Sequence, residues 1–148
     1  MILADVDIQR AIKQGDLAIE PFMTDNLTPN GYDLSVEEIM VNGSVFQEAI
    51  VPPMTWFAVA TREYVRLPKY AAQLWIRSSY ARRGVLASFG KVDIGFEGTL
   101  TLSSFNTHED LALNHNDRFC QIVFEDVSSA PHKPYEGKYK GQQRITLG

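Results

Sequence analysis

The 148-residue chain is short of most features that announce a function directly. It has one cysteine, Cys120, so no internal disulfide can form, and a reducing compartment suits it. Within "RFCQIVF" that residue reads as a small buried strand side chain rather than a reactive thiol. Basic residues are outnumbered, 14 Lys and Arg against 18 Asp and Glu, giving a net charge of −4. Such a chain attracts nucleic acid poorly, and a phosphate-bearing ligand must be met by a local basic cluster. No apolar run nears the roughly 18 residues of a membrane span. "MILADVDIQ" carries charge too early for a secretory signal. The expectation is a cytoplasmic protein with neither membrane nor nucleic acid as partner. His108, His115 and His132 fit no zinc spacing, and no cysteine pair assists them. The zinc signature His-x-Glu followed by Pro-Cys-x-x-Cys, the Walker-type loop and the Gly-x-Ser-x-Gly elbow are all missing.

What is present reads as one β-rich domain. Hydrophobic content of 45% over 148 residues is enough to bury a core. "ADVDIQRAIKQGD" predicts a short helix, with Asp5 or Asp7 at its N-terminus, Ile8, Ala11 and Ile12 on one face, and Gly15 as its stop. Strand signals follow in "YDLSVEEIMV", "TWFAVATREYVRLP", "AAQLWIRSS", "GTLTLSSFN" and "RFCQIVFEDV", separated by Gly, Pro, Asn or Asp. Many short strands at this spacing favour a sandwich, jelly roll or barrel. Residues 1–133 form the domain, and "PYEGKYKGQQRITLG", 134–148, loses the alternation and gains Gly and Lys, as a mobile arm would.

Two stretches are candidates for chemistry. In "WIRSSYARRGV" a strand ends at Ile76, and Arg77, Ser78, Ser79, Arg82 and Arg83 follow at a strand-to-helix turn. Guanidinium forks and hydroxyl donors there suit phosphate oxygens, although a solvated basic turn has the same composition. In "VDIGFEGTLTLSSFN", Asp93 sits in a turn flanked by Gly95 and Gly98. A carboxylate so placed orients a water or accepts from a sugar hydroxyl, or it simply forms the turn. Phe96 packs on a sugar ring or fills the core, and Glu97 falls at the exposed rim of the turn.

Taken in order, these segments resemble the dCTP deaminase and dUTPase superfamily. "MILADVDIQRAIKQGDLAIEPF" is similar to the family's opening helix, "PNGYDLSV" to its first strand, "IRSSYARRGV" to its phosphate-binding segment and "VDIGFEGTLTL" to the segment of its active-site aspartate. "RFCQIVFE" resembles its glutamine strand and "PYEGKYKGQQ" the closing arm of the deaminase branch. The resemblance implies a distorted jelly-roll or β-barrel fold with a short N-terminal helix. It also implies assembly as a homotrimer with sites between subunits, and dUTP or dCTP bound with Mg²⁺ held by its phosphates, no protein side chain ligating the metal. Carried over, Asp93, Ser78 and Arg82 are the catalytic residues, Asp93 orienting the attacking water or bonding the 3′-hydroxyl. Ser78 and Arg82, with Arg77, Ser79 and Gln121, hold phosphates. Phe96 excludes a 2′-hydroxyl, and Tyr135, Lys138, Tyr139 and Gln142 close over the nucleotide.

Deaminases of this group use a glutamate ten residues after the aspartate; here that position is Ser103. In one regular strand an even interval would put Ser103 on the face such a glutamate uses. A serine titrates far too high to act unaided as a general base at neutral pH. Hydrolysis of dUTP to dUMP and pyrophosphate is therefore the leading expectation. dCTP deamination, with Glu97 or another subunit supplying the base, and nucleotide binding without turnover are the alternatives.

Overall fold

A computed structural model describes residues 1–148. Helix α1, Asp5–Gln14, buries Ile8 and Ala11. Its N-cap is Ala4, whose N–H is held by the Asp7 carboxylate at 3.1 Å, so Asp7 caps from inside the first turn. Gly15 ends the helix with φ 76°, a left-handed conformation that suits glycine.

Strands β1 (Ala18–Glu20), β2 (Leu27–Thr28), β3 (Gly31–Val41), β4 (Ser44–Phe46), β5 (Glu48–Val51), β6 (Thr55–Thr61), β7 (Tyr64–Arg66) and β8 (Ala71–Ile76) follow in turn. One helical turn, α2 (Ser78–Ala81), then precedes β9 (Val85–Ala87), β10 (Lys91–Val92), β11 (Glu97–Gly98), β12 (Thr101–Asn106), β13 (Leu111–Asn114) and β14 (Arg118–Glu125). The main sheet runs β10-β8-β14-β3-β6-β12-β9, with β2 and β4 also on β3. Smaller sheets are β1-β7-β11 and β13-β5, and every pairing is antiparallel. The expectation of a mostly β chain is met, with one sheet curled rather than flat. No helix is long and apolar enough to cross a membrane.

The curl originates in β3. Its first half pairs β14 and its second half β6, and both ladders shift register near Ser35 and Val36. The corner is pinned from two sides. Glu63 is 1% exposed and accepts the Ser35 N–H at 2.8 Å, while Arg62 N–H donates to the Ser35 carbonyl. Burial pushes the Glu63 carboxyl up, against the hydrogen bonds from Ser35 and the charge of Arg62.

A cluster of 29 buried residues lies inside the curl, with Tyr32, Phe57, Phe119 and Phe124 the largest. Phe119 receives Phe57, Tyr80 and Phe89 at ring-centroid distances of 6.0, 5.0 and 6.1 Å. Tyr80 thereby fastens α2 to the core. Cys120 is fully buried and burial pushes its thiol up, which makes it a packing residue.

Candidate functional site

The basic turn is held by an ion pair. Arg77 caps α2 from the end of β8, and its Nε lies 3.0 Å from Oδ2 of Asp33 on β3. Its Nη1 donates to the Arg118 carbonyl at 3.2 Å, so one side chain joins β3, β8 and β14. Burial lifts the Asp33 carboxyl above its ordinary range, and the charges of Arg77 and Arg118 offset only part of that rise. The guanidinium edge left over faces a polar cavity of about 470 Å³, lined by Ser79, Tyr80, Arg83, Asn116, Asp117 and Arg118 among others. Ser78 and Arg82 are exposed and stand on the next face of the turn, four residues apart. The sequence reading missed Arg118, Asn116 and Asp33. Only the adjacency of "NHNDR" to the glutamine strand hinted at the first two, and nothing local pairs Asp33 with Arg77.

Gln121 belongs to the same face of the sheet, directly opposite Asp33 on one side and Trp75 on the other. Its amide donates to Thr28 Oγ1 at 2.8 Å. To do so it folds over Gly31, where a Cβ would meet Gln121 Cγ at 3.1 Å and the Ile122 carbonyl at 2.7 Å. A glycine is required there for packing reasons.

Asp93 lies elsewhere. Val92 pairs with Ala72 near the start of β8, whereas Ser78 follows the end of that strand. Six residues at about 3.3 Å each put roughly 20 Å between these levels. Asp93 is exposed in its turn, with its carbonyl accepting from Phe96 N–H at 3.1 Å and Leu67 accepting from Gly95 N–H at 2.7 Å. One copy of the chain does not bring Asp93 to Arg77, Ser78, Ser79, Arg82 and Gln121. Between the two levels, residues 87–91 fold over β8, Leu74 N–H donates to the Gly90 carbonyl, and a cavity of about 290 Å³ remains.

The C-terminal segment accompanies the Asp93 turn. Tyr135 N–H donates to Ile94, Gly141 N–H to Glu97, and Thr99 N–H to the Gln142 carbonyl. The Tyr135 ring meets Phe96 edge-on at 5.5 Å, and Phe96 is only 5% exposed. Lys138 Nζ stands 5.0 Å from the Tyr139 ring, and the Gln142 Oε1 is buried with no partner. Both turn glycines serve this docking: a Cβ at Gly95 would lie 2.7 Å from Tyr135 N, and one at Gly98 3.0 Å from the Gln142 carbonyl. Where the loss of alternation suggested a mobile arm, backbone hydrogen bonds tie this segment to its own chain.

The ten residues from Asp93 to Ser103 are not one strand. β11 ends at Gly98 and β12 starts at Thr101, with Thr99 and Leu100 buried between them. Glu97 is half-buried and opposite Arg66, not at an exposed rim. Ser103 is exposed on the outer face of β12, where the Trp56 indole N–H donates to its hydroxyl. No group of three or more His, Cys, Asp or Glu side chains is arranged to hold a metal ion.

The dCTP deaminase-like family profile matches residues 36–127. A dCTP deaminase from Pyrococcus horikoshii is 38% identical over 155 aligned positions, covering 99% of this chain and 96% of that protein. A probable deoxyuridine 5′-triphosphate nucleotidohydrolase from Sulfolobus islandicus rod-shaped virus 1 is 34% identical, covering 99% and 98%. Among solved structures, 2′-deoxycytidine 5′-triphosphate deaminase from Agrobacterium tumefaciens shares the fold, with a TM-score of 0.73 at 20% identity over 85% of this chain and 48% of that one. The chain belongs to the dCTP deaminase-like family, a family of nucleotide-metabolising enzymes.

Proposed function

We propose that the chain hydrolyses dUTP to dUMP and pyrophosphate at sites shared between copies of itself, each site joining the Arg77–Ser78–Ser79–Arg82 and Gln121 face of one copy to the Asp93 turn of another. The separation of roughly 20 Å along β8 carries this reading, since either half alone is chemically incomplete. A closed homotrimer satisfies both halves of every copy with one repeated contact. The basic face offers donors to phosphate oxygens, and Asp93 offers an acceptor that orients water for in-line attack on phosphorus.

Mg²⁺ suits this site as a passenger on the substrate. The cavity beside Arg77 is lined mainly by arginine, serine, tyrosine and asparagine, with Asp117 its single carboxylate, and such groups bind phosphate oxygens rather than build a metal cage. When bound, the ion neutralises the phosphate charge. In the same reading Tyr135, Lys138, Tyr139 and Gln142 cover the nucleotide from the C-terminal arm, whereas Phe96, expected to pack on the sugar or fill the core, does the latter and supports the arm through Tyr135.

Hydrolysis is preferred to deamination because Ser103 has no carboxylate beside it and its hydroxyl already accepts from Trp56. Deamination of dCTP remains the second reading, favoured by the naming of relatives 36–40% identical as dCTP deaminase. Incubation with dUTP and with dCTP, each with Mg²⁺, followed by chromatography, separates them. Pyrophosphate from dUTP supports hydrolysis, ammonia from dCTP supports deamination, and binding without product from either means a nucleotide-binding protein.

A further inference from the structure

Three arginines, Arg77, Arg83 and Arg118, line the polar cavity of about 470 Å³. Two of them have carboxylate partners: Arg77 Nε lies 3.0 Å from Asp33, and Arg83 Nε 3.7 Å from Glu109. The cavity's own carboxylate, Asp117, accepts the Asn114 N–H through Oδ2 at 2.8 Å. Arg118 forms no ion pair in the chain. Its charge reaches Asp33, but the hydrogen bond of that carboxylate goes to Arg77. The Arg118 side chain makes one hydrogen bond, from Nη1 to the Asp25 carbonyl at 3.1 Å. A guanidinium carries five N–H donors in a planar fork, so four are left for a ligand. That fork matches the oxygens of a phosphate.

Arg118 is also held at a fixed place. The Asp25 carbonyl belongs to the turn Thr24–Asn26. Asn26 Nδ2 fastens this turn to β3 by donating to the Asp33 carbonyl and to Ser35 Oγ, each at 3.0 Å. On the other side, the residues before Arg118 make a tight reversal. Asn116 has φ 72°, its N–H donates to the Val36 carbonyl at 2.8 Å, and Val36 N–H donates to the Asp117 carbonyl at 2.9 Å. Asparagine adopts the left-handed conformation at some cost, and a hydrogen bond to its side chain offsets it. Arg62 supplies that bond: Nη1 donates to Asn116 Oδ1 at 3.0 Å, and its backbone N–H is fixed on the Ser35 carbonyl at 2.8 Å. Arg62 itself lines a different cavity, with Glu20 and Glu37.

We propose that Arg118 is a further phosphate-binding residue of the cavity beside Arg77, and that Arg62, acting through Asn116, is the positioning residue that keeps it there. The inference rests on the reading in which the Arg77–Arg82 turn receives the phosphates of the substrate. Arg77 and Arg83 meet an anion with their charges already opposed by carboxylates, whereas Arg118 meets it with its charge unpaired and most of its donors free. A polyphosphate chain, with several anionic groups, has oxygens for Arg77 and Arg118 together.

The test is calorimetric titration with inorganic tripolyphosphate and, separately, with the α,β-imido analogue of dUTP and Mg²⁺. Arg118→Gln should weaken both by about tenfold, the usual scale for a charged hydrogen-bonding partner. It should also flatten the salt dependence of tripolyphosphate binding. Arg118→Lys keeps a point charge without the fork and should recover part of the loss. Arg62→Met should weaken tripolyphosphate by about threefold in the original protein and by nothing further in Arg118→Gln, because two residues acting through one contact are not additive. An equal loss from Arg62→Met in both backgrounds overturns its positioning role. Unchanged tripolyphosphate affinity in Arg118→Gln overturns the proposal, as does the absence of binding by the unaltered protein. A loss for tripolyphosphate with the nucleotide analogue unaffected overturns the place of Arg118 in the substrate site. An equal loss for both, with no pyrophosphate released from dUTP, counts against hydrolysis alone and supports the assignment of Arg118.

Discussion

Arg77 and Asp33 face each other across the sheet with 3.0 Å between Nε and Oδ2, and the aspartate side chain is 7% exposed. A carboxylate this buried is costly unless its partner stays in place, so the pair holds the guanidinium at one angle. Asp33→Asn keeps an oxygen for Arg77 but removes the charge. The expected result is about tenfold weaker binding of inorganic tripolyphosphate, and a melting temperature lower by on the order of 5 °C. Calorimetry and thermal unfolding check both, and unchanged tripolyphosphate affinity would remove Arg77 from the phosphate site.

The proposed division of the site between copies makes a complementation test possible. Asp93→Asn spoils one half and Arg82→Ala the other, and each homogeneous protein should have little activity. Asp93→Asn should lose turnover yet keep triphosphate affinity within about tenfold, because the phosphates are held elsewhere. Co-refolded in equal amounts, the two variants should regain about a quarter of the original rate, the fraction of random contacts that join two intact halves. Failure to regain activity, with mixed assemblies demonstrated by mass spectrometry, would place both halves in one chain.

Gly98 has φ 142° and faces the Gln142 backbone. Gly98→Ala forces a Cβ to within 3.0 Å of the Gln142 carbonyl in a conformation that side chains avoid. It should loosen the segment that covers Phe96 and weaken nucleotide capture by the same factor as deleting 134–148. Limited proteolysis reports the loosening and titration the affinity. An affinity loss from the deletion alone, with Gly98→Ala proteolysed as readily, would show that the arm acts without docking at Gly98.

The carboxyl of Glu63 titrates higher in the folded protein than in the unfolded chain because it is buried. Between the ordinary glutamate value, about 4.3, and that raised value, the unfolded chain releases its proton first. Folding therefore loses stability as pH rises through this window. Glu63→Gln keeps an acceptor for Ser35 N–H and removes the titration. Its melting temperature relative to the original should climb from about pH 4 toward neutrality, and a pH-independent difference would contradict the assignment.

Local chemistry was legible where a residue acts on its near neighbours. Gly15 stops α1, strands follow the apolar alternation, and the Arg-Ser-Ser turn begins where β8 ends. Features that depend on strand pairing left no local trace. Asp33 and Arg77 are far apart in sequence, and the bend at Ser35 needs Glu63 from a distant turn. The even spacing of Asp93 and Ser103 misled for the same reason, because the break at Thr99 and Leu100 is imposed by packing. The docking of the last residues on the Asp93 turn was likewise hidden, since short backbone contacts at glycines carry no side-chain pattern.

The gap along β8 has a consequence for how such an enzyme behaves in solution. On the shared-site proposal, a solitary molecule owns two unlike fragments of a pocket and no whole one, and the rate per molecule is expected to fall as a sample is diluted past the point where its assemblies dissociate. Abundance itself then becomes a setting of the catalyst, and a surface change that weakens self-association silences chemistry it never touches.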